Sequence, residues 1–218
     1  MKVDCHCHIL PGIDDGAQTL DEAVFLAGKL VQWGYGRAVC TSHRASLYRN
    51  TPSTVMAACE LLRAELDRRE IPLELVPSME YRLIPDTWTA VREGNWLLPW
   101  EGNHILVELP IHDPTKVGDL VPLDEIRWLI GQGYQPVLAH PERYLYFRME
   151  EYKAFKEAGV QFQRNLGATE GLYGDDVKAR AEALLDEGMY DWRGTDLHKK
   201  KYADFFDQHY AAIFNSTE

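Results

Sequence analysis

Two histidines two residues apart open the chain, and two adjacent carboxylates follow them. If His6 and His8 lie on a strand, both imidazoles project from the same side and can bind one metal ion. Pro11-Gly12 then predicts a loop that brings Asp14 and Asp15 back over the same end of the strand. Imidazole combined with carboxylate is typical of zinc, manganese or iron sites.

Further ligand-type side chains follow, or lie near the end of, other predicted strands. Asp196 and His198 repeat the two-residue spacing of His6 and His8. The remaining histidines do not follow strands in this way and are interpreted as ordinary polar residues. We predict nine metal ligands: His6, His8, Asp15, His43, Glu80, Glu108, His140, Asp196 and His198.

This ligand set predicts two or three divalent ions that share bridging carboxylates, because zinc takes about four ligands and octahedral metals take about six. Four ligand carboxylates against three divalent ions would leave a charge of about +2, which suits a phosphomonoester of about −1.5 to −2. A bridging water whose pKa falls toward about 7 could then attack phosphorus. Arg143, Arg44 and Arg49 are candidates to hold the phosphate oxygens, and Arg143 is favoured because it lies close after His140.

The elements that must position these residues alternate between strand and helix. Strands are predicted at residues 3–5, 37–41, 73–77, 105–109, 135–139, 160–166 and 189–194. Helices are predicted at 20–33, 52–70, 123–131, 149–158, 175–187 and 202–215, and a helix or hairpin at 83–103 should cover part of the site. About seven such units indicate a parallel, closed or distorted α/β barrel in a single domain, residues 1–218, with the ligands at the carboxyl ends of the strands.

Composition narrows the class of protein. The chain has 218 residues, of which 45% are hydrophobic, enough for one domain with a sizeable core. Its net charge of −11 argues against binding to nucleic acid or to an anionic membrane. Because we find no signal peptide and no membrane-length apolar run, we expect a soluble cytoplasmic protein without direct membrane insertion. The oligomeric state is left open.

The cysteines exclude one class of phosphatase. Cys5, Cys7, Cys40 and Cys59 look like core thiols in a reducing compartment. A cysteine-dependent phosphatase needs an arginine separated from its cysteine by five residues, and none of the four has one, because Pro11, Ile13, Ser46 and Glu65 occupy those positions. The predicted chemistry therefore depends on metal ions and not on a thiolate.

Seven groups of residues, taken together, carry a family resemblance. They are DCHCHILPGIDDG at 4–16, TSHR at 41–44, EYR at 80–82, LVELP at 106–110, HPERY at 140–144, QRN at 163–165 with GLYG at 171–174, and DLH at 196–198. The set resembles the PHP (polymerase and histidinol phosphatase) superfamily. Within it, the chain is most similar to the manganese-dependent tyrosine-protein phosphatases of bacterial capsule and exopolysaccharide biosynthesis, the CpsB/CapC type.

The resemblance implies a PHP-type distorted (β/α)7 TIM-like barrel and a three-metal centre, with manganese favoured and iron or zinc as alternatives. It implies hydrolysis of phosphotyrosine by a metal-bridging hydroxide, on the tail of a bacterial tyrosine kinase. By motif position the nine ligands carry over, and Asp15 is favoured over Asp14, a choice that the residues alone leave open. We predict catalytic roles for Arg143, Arg44 and Asp15.

The chain departs from the family pattern after its last strand. Thr195 stands where serine is usual, and Lys199-Lys200-Lys201 replaces a segment that often supplies a second catalytic arginine. We predict that one of these lysines replaces the missing guanidinium. The predicted phosphate-binding residues are Arg143, Arg44 and Lys199.

We consider three alternative functions. A small-molecule phosphomonoesterase of the same superfamily, similar to histidinol phosphatase, would use the same ligands. An amidohydrolase also uses His-x-His at its first strand, but typically bridges its metals with a modified lysine where this chain has Glu80 and Glu108. A metal-bound interaction module without turnover would retain the ligands for a structural purpose.

Overall fold

A computed structural model describes residues 1–94 and 96–214. Its centre is a seven-stranded sheet with the strand order β1-β2-β3-β4-β5-β6-β7, and every neighbouring pair is parallel. The strands are β1 (Lys2–Cys7), β2 (Tyr35–Arg44), β3 (Glu74–Arg82), β4 (His104–Glu108), β5 (Gln135–Ala139), β6 (Gln161–Asn165) and β7 (Trp192–Gly194).

Helices connect successive strands, as parallel pairing requires. Those in the described residues are α1 (Leu20–Gln32), α2 (Pro52–Arg68), α3 (Pro85–Gly94), α4 (Pro122–Gly131), α5 (Met149–Glu157), α6 (Asp175–Asp186), α7 (Lys200–Gln208) and α8 (Tyr210–Phe214). Thr19 is the N-cap residue of α1, as predicted, and its hydroxyl accepts a hydrogen bond from the backbone N–H of Glu22. No helix among the described residues has both the length and the apolar character needed to cross a bilayer.

The first and last strands approach each other, so the sheet is a nearly closed barrel. Cys7 forms a parallel bridge with Leu197, and the backbone N–H of His8 donates to the carbonyl of Leu197 at 2.9 Å. Gly194 permits this approach, because a Cβ atom there would lie 2.5 Å from the Cβ of His6. The predicted distorted α/β barrel is confirmed.

The buried hydrophobic residues described in the structure form three clusters, of which the smallest is Ala168, Val177 and Ala181. The largest cluster packs the helices against the outside of the barrel, with Leu30, Leu62 and Trp88 fully buried in it. A smaller apolar cluster comprises Val39, Trp100, Leu106, Val137 and Ala139, which precede candidate ligands on β2, β4 and β5. The strands therefore change from apolar to polar toward their carboxyl ends.

Several predicted bounds differ from the structure. The first three strands extend through the polar residues that were expected to follow them, so that His6, His43 and Glu80 lie within β1, β2 and β3. The closing helix is divided between α7 and α8, and its predicted last residue, Asn215, lies outside the described residues.

The segment at 83–103 contains a helix, as expected, but contributes little to covering the site. Trp88 on α3 is fully buried in the core, and Trp100 packs in the smaller apolar cluster. Among the described residues of this segment, Ile84, just before α3, lines the pocket described below.

Candidate metal centre

The nine predicted ligand side chains meet at the carboxyl ends of the strands. They form four overlapping groups whose ligand atoms lie within 4.8 Å of one another. The groups are His8, Asp15, His43 and His198; His6, His8 and Asp196; His6, Glu80 and His140; and His43, Glu80 and Glu108. Shared members make these groups one continuous cluster, in which a carboxylate can face more than one ion.

His6 and His8 are held so that each directs the same nitrogen into the cluster. The Nδ1 atom of His6 lies 2.7 Å from Gln163 Oε1, and Nδ1 of His8 lies 3.0 Å from Asp14 Oδ2. Because both partners are acceptors, each Nδ1 carries the proton and each Nε2 presents a lone pair. The two Nε2 atoms face each other at 3.0 Å, an unfavourable approach unless a cation lies between them.

The spacing of these atoms fits a single metal ion. Asp196 Oδ1 lies 3.3 Å from His6 Nε2 and 3.5 Å from His8 Nε2. Bonds of about 2.1 Å at tetrahedral or right angles place neighbouring ligand atoms about 3.0–3.4 Å apart. Buried atoms elsewhere in the cluster lack hydrogen-bond partners among the described residues, including Asp15 Oδ1, Glu80 Oε2 and His140 Nδ1. The residues present therefore fit divalent metal ions.

The two adjacent aspartates have different positions. Asp14 faces the protein, where its Oδ2 accepts from the backbone N–H of His43 at 3.0 Å as well as facing His8, and its Oδ1 accepts from the N–H of Gly16 at 2.9 Å. Asp15 faces the cluster, with Oδ1 at 3.3 Å from His43 Nε2 and 3.8 Å from His198 Nε2. This geometry favours Asp15 as the ligand and gives Asp14 the task of orienting His8.

Glu80 lies at the centre of the cluster and is fully buried. Its Oε2 is 3.0 Å from His43 Nδ1 and 3.3 Å from His8 Nε2, and its Oε1 is 3.2 Å from His140 Nε2. Burial alone would raise the pKa of Glu80, but the surrounding imidazoles hold it well below its usual value. Glu80 is therefore a permanent anion that can bridge ions.

The carboxylates have the opposite effect on the imidazoles. Burial alone would lower the pKa of His8, but Asp14 and Glu80 raise it well above its usual value. His198 differs, because burial and the neighbouring His8 lower its pKa to about 4. Without metal, the cluster thus retains protons that a divalent ion would displace.

Two residues of the cluster have strained backbones. His140 has φ 33°, and Asp196 has φ 53°, both in the left-handed region that glycine prefers. Such strain costs of order 1–3 kcal/mol and persists where the surroundings enforce it, which is common at functional sites. Here it turns both side chains inward where their strands have ended.

A pocket of about 440 Å³ lies over the cluster, while His6 and His8 are fully buried beneath it. Cationic side chains surround the metal ligands in its lining, although the protein as a whole carries a net charge of −11. They are Arg82, Lys116, Arg143, Lys199 and Lys201. The arrangement is suited to an anionic ligand.

The predicted phosphate-binding residues differ in placement. Arg143 lines the pocket, with Nη1 at 3.5 Å from Asp196 Oδ2 and its guanidinium 4.7 Å from the centre of the Tyr173 ring. Lys199 also lines it. Arg44 is not among the described residues that line the pocket. Its Nη1 donates to the carbonyl of Asn50 at 3.2 Å, and its guanidinium lies 5.0 Å from the ring of Trp96.

The placement of Arg44 gives no support to its predicted role in holding phosphate, which stays a prediction. Successive side chains on a strand point to opposite faces, so Arg44 must face away from the pocket when His43 faces into it. Arg49, the weaker candidate, has its guanidinium 3.8 Å from Asp86 Oδ2 and is not among the described lining residues either.

Sequence reasoning missed Arg82 as a site residue. It lies two residues after Glu80 on β3 and lines the pocket, with its Nε donating to Glu108 Oε2 at 2.6 Å. The two-residue spacing that identified His6 and His8 would have identified it. His112, interpreted as an ordinary polar residue, also lines the pocket but joins none of the four metal groups.

Gln163 and Asn165 were noted only as part of a motif. Gln163 orients His6, and its Nε2 donates to Asn165 Oδ1 at 2.9 Å. Asn165 Nδ2 in turn donates to Asp196 Oδ2 at 2.7 Å. Thr195 keeps the hydroxyl of the usual serine, since its Oγ1 donates to Asp4 Oδ2 at 2.6 Å.

Fold and site together are typical of a class of barrel hydrolases, with a candidate metal centre at the carboxyl ends of the strands. The family model for capsular polysaccharide synthesis, CpsB/CapC, matches residues 2–204. The chain belongs to the CpsB/CapC family, which confirms the resemblance seen in its motifs.

Relatives and solved structures agree with this membership. Tyrosine-protein phosphatase YwqE of Bacillus subtilis is 29% identical over 209 residues, covering 94% of this chain and 81% of YwqE. Tyrosine-protein phosphatase CpsB of Streptococcus agalactiae is 26% identical over 205 residues, covering 90% of this chain and 82% of that protein.

The crystal structures of YwqE from Bacillus subtilis and CpsB from Streptococcus pneumoniae, described as metal-dependent tyrosine phosphatases, include a chain that matches this one with a TM-score of 0.85. That match has 28% identity and covers 99% of this chain and 87% of the other. An amidohydrolase from Mycoplasma synoviae matches with a TM-score of 0.59 at 14% identity, over 99% of this chain and 82% of its own, which shows a shared fold.

Proposed function

We propose that this protein is a manganese-dependent protein-tyrosine phosphatase that acts on a bacterial tyrosine kinase controlling capsule or exopolysaccharide synthesis. The observation that carries the proposal is the continuous cluster of nine imidazole and carboxylate ligands on the floor of a pocket bordered by cations. Family membership and the printed activities of YwqE and CpsB support it.

The metal ligands are the nine residues His6, His8, Asp15, His43, Glu80, Glu108, His140, Asp196 and His198. They suit two or three ions, with manganese favoured and iron or zinc as alternatives, since imidazole with carboxylate accepts all of these. Bound divalent ions would lower the pKa of a coordinated water toward about 7 and offset the charge of a phosphoryl group.

The chain's own side chains orient the phosphate. Arg143 lies beside Asp196 at the pocket floor, where its guanidinium can donate two parallel hydrogen bonds to phosphoryl oxygens. Asp15 has the most exposed side chain of the nine ligands, at 44%, so its catalytic role is that of a ligand at the pocket mouth. The tyrosinate leaving group needs no buried side chain to assist its departure. The pKa of tyrosine is about 10, which makes tyrosinate a better leaving group than an aliphatic alkoxide.

Lys199 is the proposed replacement for the missing second arginine. It lines the pocket as Lys201 does, whereas Lys200 pairs with Asp204 at 2.6 Å. Lys199→Ala should lower kcat/KM for a phosphotyrosyl peptide by about tenfold, the value of one charge-assisted hydrogen bond. Lys200→Ala is the matched control, and equal effects of the two changes would remove Lys199 from the phosphate site.

A comparison of substrates tests the function. The manganese-loaded protein should hydrolyse a phosphotyrosyl peptide with a higher kcat/KM than histidinol phosphate. The reason is that its open pocket can receive a residue carried on the surface of another protein. The reverse order would favour a small-molecule phosphomonoesterase. Absence of turnover on both, and on para-nitrophenyl phosphate, would favour a metal-bound interaction module.

A chelator should abolish the activity, while thiol alkylation of the folded protein should not, since all four cysteines are free and buried. The kinase partner and the cytoplasmic location stay predictions.

A further inference from the structure

A second cavity of about 560 Å³ lies beside the metal pocket, between the start of α1 and the segment at 198–201. We name it the flanking groove and define it by Gly16, Gln18, Phe25, Leu26, Lys199 and Lys201. Phe25 on α1 lines it and is 38% exposed, so its ring is accessible from the groove.

The flanking groove and the metal pocket share one wall. His198, Lys199 and Lys201 line both cavities. On the other side, Gly16 lines the groove directly after the candidate ligand Asp15. An extended peptide rises about 3.3 Å per residue, so a side chain one or two positions from a residue in the pocket reaches the groove.

The charges at the border of the groove favour an acidic or neutral peptide. Of its two carboxylates, Asp21 is paired with Arg69, with Oδ1 2.8 Å from Nη2, whereas Glu22 keeps its charge and its Oε2 accepts from the N–H of Gln18 at 2.7 Å. The single charge of Glu22 is opposed by two lysines. Lys199 and Lys201 form no ion pair with any residue in the ranges 1–94 and 96–214. The uncompensated charge of the groove is therefore positive, while its centre at Phe25 is apolar.

We propose that the flanking groove binds an apolar side chain, an aromatic one in preference, that lies one or two residues from the phosphotyrosine of a substrate peptide. The proposal rests on the proposed phosphatase function and adds a specificity determinant to it. Phe25 supplies an aromatic face for that side chain. The Nζ atoms of Lys29 and Lys200 lie 5.9 and 5.7 Å from the centre of the Phe25 ring and limit where the peptide side chain can lie. Phe25 takes no part in metal binding.

The test is a set of phosphotyrosyl peptides in which each position within two residues of the phosphotyrosine is phenylalanine, alanine or aspartate in turn. With the manganese-loaded protein, phenylalanine at one of these positions should raise kcat/KM about tenfold over alanine. Phe25→Ala should reduce that ratio to near one and leave turnover of para-nitrophenyl phosphate unchanged. Phe25→Leu should retain part of the preference.

Leu61→Ala is the matched control, because Leu61 is an exposed apolar residue on α2 that does not line either cavity. Equal kcat/KM for all peptides, or a preference that survives Phe25→Ala, would overturn the proposal. So would sedimentation showing that Phe25→Ala converts a dimer into a monomer with no change in peptide preference. Turnover of para-nitrophenyl phosphate without peptide preference refutes the groove alone, whereas absence of all turnover refutes the phosphatase function itself.

Discussion

The two ends of the barrel are made by the same strands but carry opposite kinds of side chain. On β2, Val39 packs in the apolar cluster and His43 lies in the metal site four residues later. On β4 the change takes two residues, from Leu106 to Glu108. We infer that one end contributes stability, whereas the other end, which gathers buried polar atoms, supplies the chemistry.

The largest effect should come from the polar end. Glu80→Gln removes the carboxylate shared by the imidazoles, so metal uptake should fall and kcat/KM should drop about a thousandfold, because bound metal supplies several kcal/mol to the transition state. The metal-free protein should also lose stability in urea, because the charge of Glu80 stabilises the imidazoles around it, so metal uptake is compared per folded molecule. Near-normal turnover with full metal content would show that Glu80 is not a bridging ligand.

The apolar end should respond in the opposite way. Val39 is buried and lies four residues before His43, and Val39→Ala should lower the free energy of unfolding by about 1–3 kcal/mol through lost burial and a cavity. The turnover of the remaining folded protein should stay within about twofold of the original. Urea titration together with activity at low temperature measures both. A loss of turnover larger than the loss of folded protein would mean that the two ends are not separate.

Much of this division could be predicted from the sequence, and the failures have physical causes. The meeting of the nine candidate ligands could be predicted, because His-x-His and Asp-x-His spacing and strand order together place side chains at one rim. The lengths of β1, β2 and β3 were underestimated, since buried ligands such as Glu80 interrupt the apolar pattern that identifies strands.

Arg44 was assigned by its adjacency to His43, although strand alternation points it to the other face. The hydrogen bond from Gln163 to His6 joins residues 157 positions apart, and local spacing contains no information on such a contact.

A smaller effect should come from the residue that orients a ligand. Gln163→Leu removes the acceptor that fixes the His6 tautomer, and should weaken metal binding by about 10–100-fold. Gln163→Glu, which keeps an acceptor there, should restore most of the affinity. Competition with a metal indicator measures both variants, and equal weakening by the two would assign Gln163 a packing role only.

The smallest expected effect is on pH dependence. The pKa of His8 is raised in the metal-free protein, so below that pKa a proton occupies the nitrogen that a metal needs. Manganese binding should release protons, and its affinity should fall as pH decreases, by about tenfold per pH unit for each proton displaced. Calorimetry in two buffers with different ionisation enthalpies measures the release. Binding without proton release would contradict the proposed ligand set.

The most direct test of the central claim is to remove metal from the protein and restore it in measured steps. Elemental analysis gives the ions bound per chain at each step, and phosphate release from a phosphotyrosyl peptide gives the turnover. Turnover should be lost with the metal and should return as two or three ions are restored. Full turnover by protein that contains no metal would contradict it.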